Sequence, residues 1–313
     1  MVPGIMMKPI NSAPNTVRQL KPSMYSSSSA LTTSVLSSFI TLALALGGAG
    51  VWSLVIGSLV SQLWSAIGTQ RLAPFLKRPD FSLQGMGSLF RFGGNQSAAG
   101  LLGLFFSQAD ILICAKWLGN EIVGFYSVAM HLASLPFQRT VGIVNQVAFP
   151  AFASIQHDLS NVGAKALLAI RLLSFIAFPV LWGFSSISAE FVEVALGPKW
   201  VLSIIPLQFI AFIIPFRMVG SVVAIAVQGL GRVDIVLQNT AWAVVVGPPL
   251  FFLGAYWWGI TGLSLAWLAV SPLVFVPAVL RSAPAIGLSA CTIFSTMLPA
   301  AGASLIMYAA GVG

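Results

Sequence analysis

The stretch VLSIIPLQFIAFIIPFRMVGSVVAIAVQGL, residues 201–230, contains one charged side chain, that of Arg217. A helix rises about 1.5 Å per residue, so about twenty apolar residues cross the hydrocarbon core of a bilayer. The stretch is continuously apolar and lacks the strict alternation of a membrane β-strand. It therefore predicts a transmembrane helix, and Pro206 and Pro215 predict bends in it.

Further apolar windows of similar length lie on both sides of this one. In chain order the windows are Leu31–Leu46, Val51–Ile67, Phe90–Trp117, Ile122–Phe152, Ala166–Ile187, Val201–Leu230, Ile235–Trp257, Ile260–Leu280 and Ile286–Tyr308. Helices suit a bilayer because they satisfy their backbone hydrogen bonds within one segment. The expected fold class is therefore all-α, a polytopic transmembrane helical bundle of about nine helices.

The composition of the whole chain has the same character. Of 313 residues, 58% are hydrophobic and 7% are charged, and the mean hydropathy is +0.94. Soluble domains are roughly a quarter charged, so an ordinary soluble enzyme is excluded. The net charge of +8 fits loops beside anionic lipid and not nucleic-acid binding, because no basic run is interleaved with aromatics. Cys114 and Cys291 lie far apart without a CxxC motif, so neither a disulfide nor a metal site is expected.

If every window crosses the membrane, successive loops lie on alternate sides of it. Lysine and arginine are distributed unevenly between these two sides. One side collects Lys8, Arg18, Lys21, Arg71, Lys77, Arg78, Arg91, Lys165, Arg171, Arg232 and Arg281. The other side holds Lys116 and Lys199. Cytoplasmic loops are enriched in these residues, so the first side, with the N-terminus, is expected to be cytoplasmic.

Two uncharged turns, Gly47–Gly50 and Trp258–Gly262, each join adjacent windows and predict two similar helical hairpins. The first turn joins windows one and two, and the second joins windows seven and eight. If the two hairpins are equivalent, the chain therefore repeats after six helices, a pattern typical of duplicated transporter lobes. The expected organisation is a disordered lead-in (1–30), the last helix pair of an incomplete N-lobe (31–70), an amphipathic cytoplasmic linker (71–89), a six-helix C-lobe (90–281) and an extra C-terminal helix (282–313).

Several short motifs follow one another along the chain. They are GAGVWSLV at 48–55, FRFG at 90–93, QADILI at 108–113, WLG at 117–119, GFYSVA at 124–129, FPAF at 149–152 and QGLGR at 228–232. In this order they resemble the Wzx-type exporters, the polysaccharide branch of the multidrug/oligosaccharidyl-lipid/polysaccharide flippase superfamily. Members of that family have more helices before the first motif, so the resemblance implies an N-terminally truncated chain.

The resemblance implies a flippase and not an enzyme. Such a protein moves an undecaprenyl-diphosphate-linked glycan across the bacterial inner membrane for lipopolysaccharide or exopolysaccharide biosynthesis, by alternating access between two lobes. It implies a multi-pass protein without a cofactor, with membrane lipid and the lipid-linked glycan as partners and a polysaccharide polymerase or glycosyltransferase as further candidates. Two alternatives stay open: a cation-coupled exporter of the same superfamily, and a non-transporting truncated remnant.

The few polar side chains inside the windows are the candidate functional residues. Arg139 and Arg217 lie in mid-window, where an unpaired charge costs at least ~2.5 kcal/mol. A guanidinium group can bond two phosphate oxygens, so both are expected to bind the diphosphate, with Gln138 and Asn145 beside them. The alternatives are that either arginine pairs with Asp110 and that the amides only join helices. Asp110 is either an ion-coupling carboxylate or a structural hydrogen-bond acceptor, and no catalytic or metal-binding constellation is present in the sequence.

Overall fold

The computed structural model describes residues 37–48, 50, 52–72 and 87–312, and all regular structure within them is helical. The expected all-α fold class is therefore confirmed. The predicted lead-in (1–30) and most of the predicted linker (71–89) lie outside the described residues. The chain divides into two compact units, Met1–Ser82 and Leu83–Gly313.

In the first unit, two helices form the predicted hairpin. They are α1 (Ser37–Leu46) and α2 (Trp52–Leu72). The turn between them includes Gly48 and Gly50, whose φ angles of 81° and 52° glycine adopts without steric cost. Gly57 of α2 lies directly against the side chain of Thr41 of α1. A small residue at this position therefore lets the two helices approach closely.

The second unit contains the remaining helices. They are α3 (Gly87–Trp117), α4 (Asn120–Ser154), α5 (Leu159–Ser186), α6 (Ser188–Ala195), α7 (Ile204–Gly229), α8 (Val233–Ser282) and α9 (Ala290–Val312). Short 3₁₀ turns at Pro198–Ser203 and Pro284–Ile286 precede α7 and α9. Helix α8 consists of two antiparallel arms, because Trp258 and Gly259 have non-helical backbone angles. Within the described residues, each of the nine predicted windows thus corresponds to one helix or to one arm of α8.

Helix α7, which lies within the apolar stretch 201–230, is the centre of the second unit. It packs against α4, α5 and α8, while α3 packs on α8 and α9 packs on α5. Its buried side chains are almost all apolar and occur on every face of the helix. A helix that is apolar all round is stable only when other helices surround it, which is the position that α7 has.

Within the described residues, five helices are long and apolar enough to cross a membrane. They are Phe90–Trp117, Leu159–Ser186, Pro198–Gly229, Val233–Ile286 and Ala290–Gly311, of which Val233–Ile286 contains both arms of α8. Helix α4, with 35 residues, is long enough to cross a membrane, but it is not apolar enough to be counted with these five. The apolar parts of α1 and α2, Ser37–Leu46 and Val55–Trp64, are shorter than a full span. Among the described residues, these three segments are therefore less apolar or shorter than a full span requires.

Candidate functional site

A buried carboxylate joins three helices in the core of the second unit. Asp110 of α3 is fully buried, and its Oδ2 accepts a hydrogen bond of 2.7 Å from Tyr126 Oη of α4. Trp267 Nε1, from the second arm of α8, lies 3.2 Å from the same Oδ2 and 3.0 Å from Tyr126 Oη. The other oxygen, Oδ1, accepts from the backbone N–H of Ile111 at 2.9 Å. Both oxygens of Asp110 are thus occupied, as buried polar atoms require.

Aromatic packing holds this cluster in place. The ring of Trp267 lies 4.7 Å from that of Phe251 and 5.9 Å from that of Phe106, measured between centroids. Phe106 in turn lies against Gly247, where a Cβ atom would overlap its ring. Tilted and edge-on aromatic pairs are favourable in such arrangements, so this packing holds the indole N–H beside Asp110 and Tyr126.

Arg217 of α7 lies on the other side of Trp267. Its guanidinium carbon is 5.0 Å from the centroid of the Trp267 ring and 5.3 Å from that of Phe137 on α4. Cation–π contacts of this kind stabilise a partly desolvated charge. Arg217 therefore joins α7 to α4 and α8 through aromatic faces.

Direct pairing of Arg217 or Arg139 with Asp110 is not found. Within the described residues, the one ion pair with an N–O distance below 4 Å joins Arg232 and Asp234, at 3.3 Å, near the surface. Trp267 instead contacts both groups, with its N–H toward Asp110 and its ring face toward Arg217. This geometry favours the structural interpretation of Asp110.

The outer face of α4 carries a polar stripe, which we define as His131, Gln138, Arg139, Asn145 and Gln146. All five side chains are exposed. Their spacing of seven or eight residues places them along one side of a helix with 3.6 residues per turn. This stripe explains why α4 does not reach the hydropathy of the other long helices.

The opposite face of α4 is packed into the core. Tyr126, Ala129 and Ala133 are fully or almost fully buried there, and Phe137 packs against the same cluster. Arg139 follows Phe137 by two residues, which is about 200° around the helix. The structure thus brings together the predicted residues Gln138, Arg139 and Asn145 and places Arg217 on the other side of α4.

Two residues of the buried cluster were missed as functional candidates. Tyr126 lies in the GFYSVA motif and Trp267 lies in the window Ile260–Leu280, but neither is among the residues predicted to bind a partner. A usable signal was available, because a tyrosine or tryptophan within a span needs a hydrogen-bond partner for its polar atom. Asp110 is the one acidic residue inside the nine predicted windows, so it is the expected acceptor of their hydrogen bonds.

Comparisons with known proteins find similarity to proteins of bacterial polysaccharide biosynthesis. The model of the family described as polysaccharide biosynthesis protein matches residues 15–205, which include Asp110 and the polar stripe but neither Arg217 nor Trp267. The lipopolysaccharide biosynthesis protein WzxC of Escherichia coli (strain K12) is 30% identical over 191 residues, 61% of this chain and 39% of WzxC.

Two further relatives come from other bacteria. The teichuronic acid biosynthesis protein TuaB of Bacillus subtilis (strain 168) is 28% identical over 155 residues, 50% of this chain and 32% of TuaB. The succinoglycan biosynthesis transport protein ExoT of Rhizobium meliloti (strain 1021) is 28% identical over 165 residues, 53% of this chain and 33% of ExoT. The chain therefore spans between 32% and 39% of the length of these relatives. No solved structure matches it significantly.

Proposed function

Because this chain belongs to the family of polysaccharide biosynthesis proteins, we propose that it moves a lipid-linked oligosaccharide across the bacterial inner membrane. The relatives named for polysaccharide biosynthesis and transport support this proposal. The substrate class would be an undecaprenyl-diphosphate-linked glycan, which has an anionic diphosphate, a polar sugar part and a long apolar tail.

The observation that carries the proposal is the polar stripe of α4. Facing lipid, its arginine and amides would be exposed to hydrocarbon, where a charged side chain costs at least ~2.5 kcal/mol. Polar residues in membrane helices face a protein partner or a water-filled cavity instead. The stripe is exposed in this structure, so it is available to line such a cavity between two lobes. The proposed mechanism is alternating access, in which α4 forms part of the cavity wall.

The stripe offers the chemistry that such a substrate requires. The guanidinium group of Arg139 can bond two oxygens of a diphosphate. The amides of Gln138 and Asn145 can both donate and accept hydrogen bonds, as sugar hydroxyls do. We assign the diphosphate contact to Arg139 ahead of Arg217, because Arg217 already lies between two aromatic rings. Asp110 is assigned a structural role, since both of its oxygens have donors.

Export by variants of the full chain tests this proposal. In a host strain from which the gene is deleted, we expect surface polysaccharide to fall and lipid-linked glycan to accumulate, and the wild-type chain to reverse both changes. Arg139→Ala should lower export about tenfold or more, because a charge-assisted contact to phosphate is lost. Arg139→Lys should retain part of the export, because it keeps the charge.

Arg232→Ala is the matched control, since Arg232 is also exposed but pairs with Asp234 outside the stripe. It should export normally. Protein levels in the membrane are measured for each variant. Full export by a well-expressed Arg139→Ala variant would remove the diphosphate role from Arg139, and unchanged glycan in the deletion strain would contradict the flippase function itself.

A further inference from the structure

A cavity of about 270 Å³ lies within the second unit, between α3, α7 and the two arms of α8. Its walls are mainly apolar and include Val223, Val274, Phe275 and Val279. Apolar cavities of roughly 150 Å³ already hold a benzene-sized molecule. This cavity is therefore large enough for a segment of hydrocarbon chain.

The polar side chains of the cavity wall are Asn239, Thr240 and Ser282. Asn239 Nδ2 donates to Ser282 Oγ at 3.1 Å, and Ser282 is the last residue of α8. From Ser282 the wall extends back to Val274, which is about 12 Å along a helix. That depth is comparable with the ~15 Å of hydrocarbon in one leaflet of a bilayer. The cavity thus combines a polar end near the end of α8 with an apolar interior.

An arginine lies beside the polar end. Arg281 is exposed, and its Nη1 donates to Asn239 Oδ1 at 3.5 Å. Its guanidinium carbon lies 5.6 Å from the ring centroid of Trp242, whose Nε1 donates to the Leu273 carbonyl at 2.8 Å. Within the described residues no carboxylate lies within 4 Å of Arg281. Its head group is therefore oriented while most of its five N–H donors remain unused.

We infer that this cavity and Arg281 form a binding site for an anionic phospholipid, with a segment of one acyl chain in the cavity and the phosphate on the guanidinium group. The apolar interior of the cavity suits the acyl chain of the lipid, and the unpaired guanidinium group of Arg281 suits its anionic head group. The Trp242 ring and the Asn239 side chain hold the guanidinium group of Arg281 beside the polar end of the cavity. This site lies on different residues from the polar stripe and does not rest on the proposed transport function.

Native mass spectrometry of the purified full chain tests the inference. Phosphatidylglycerol and phosphatidylcholine with the same acyl chains are added separately, and the fraction of protein with one bound lipid is measured. The wild-type chain should prefer phosphatidylglycerol by about fivefold, the effect of one basic residue on an anionic lipid. Arg281→Gln should lose that preference. Ala278→Phe, which fills the cavity, should lower the binding of both lipids.

Arg232→Gln is the matched control, because Arg232 is exposed at the same end of the bundle but lies outside the cavity wall. It should bind both lipids as the wild-type chain does. An equal loss of preference in Arg232→Gln and Arg281→Gln would overturn the site in favour of general surface charge. Displacement of phosphatidylglycerol by equimolar undecaprenyl phosphate would overturn the phospholipid assignment.

Circular dichroism and thermal unfolding report whether Ala278→Phe folds. If it does not, Ala224→Leu fills the same cavity from α7 and replaces it in the test. Full lipid binding by a folded cavity-filled variant would overturn the inference.

Discussion

Asp110 is the residue on which the internal contacts of the second unit converge. It accepts hydrogen bonds from a backbone N–H of α3, a hydroxyl of α4 and an indole of α8. In a membrane bundle, helix association depends on close packing and interhelical hydrogen bonds, because lipid is as apolar as the side chains. One carboxylate with three donors is therefore a stabilising centre for these helices.

At the residue scale, we predict that Asp110→Ala lowers the free energy of unfolding by about 3 kcal/mol. The change leaves the hydroxyl of Tyr126 without an acceptor and the indole of Trp267 with Tyr126 alone, and an unsatisfied buried donor costs about 1–3 kcal/mol. Thermal unfolding in detergent measures the effect. Asp234→Ala, at an exposed ion pair, should change stability by about 1 kcal/mol or less. Equal unfolding midpoints for the two variants would contradict the structural role of Asp110.

At the element scale, two helices show how local pattern and packing combine. Helix α4 has one face against the core and one exposed polar face, and the spacing of the polar stripe makes that division visible in the sequence. Helix α8 reverses direction at Trp258 and Gly259. On either side of this turn Gly254 and Gly262 face each other so closely that a Cβ atom on either would overlap the backbone of the other. Small residues permit such close approach between membrane helices.

We predict that Gly262→Leu disrupts the α8 hairpin. A Cβ atom at residue 262 would overlap the carbonyl carbon and oxygen of Gly254. These two atoms belong to the backbone, so they cannot move aside easily. The yield of monodisperse protein on gel filtration should fall severalfold, with a lower unfolding temperature. Gly302→Leu is the control, because a Cβ atom at this glycine of α9 meets nothing within 4 Å. Wild-type behaviour of Gly262→Leu would show that the arms pack differently.

At the scale of the whole molecule, alternating helix directions place the turns of the second unit at two ends. The residues that follow α7 and those that follow α8 lie at one end, since the two arms of α8 are antiparallel. At the other end, Ser203 Oγ donates to the Phe125 carbonyl at 2.9 Å and joins the start of α7 to α4. Arg232 and Arg281 occupy the first end, which the distribution of basic residues predicts to be cytoplasmic.

We predict that a reporter fused after Arg232 gives a cytoplasmic signal and that one inserted after Gly197 gives a periplasmic signal. The two positions lie on opposite sides of α7, which crosses the bundle once. Paired alkaline phosphatase and green fluorescent protein fusions measure this. Signals from the same side at both positions would contradict the predicted span of residues 201–230.

The sequence alone determined the helical class, the place of each long helix and the two glycine turns, because these follow from hydropathy and backbone preference over short stretches. It also contained the polar stripe of α4, since its period is local to one helix. Only the tertiary structure decided which polar groups meet. Trp267 lies 157 residues from Asp110 along the chain, and its contact depends on how α3, α4 and α8 pack. The separation of Arg139 from Arg217 and the cavity beside Arg281 likewise depend on which face each helix turns toward its neighbours, a choice made by packing and not by local sequence.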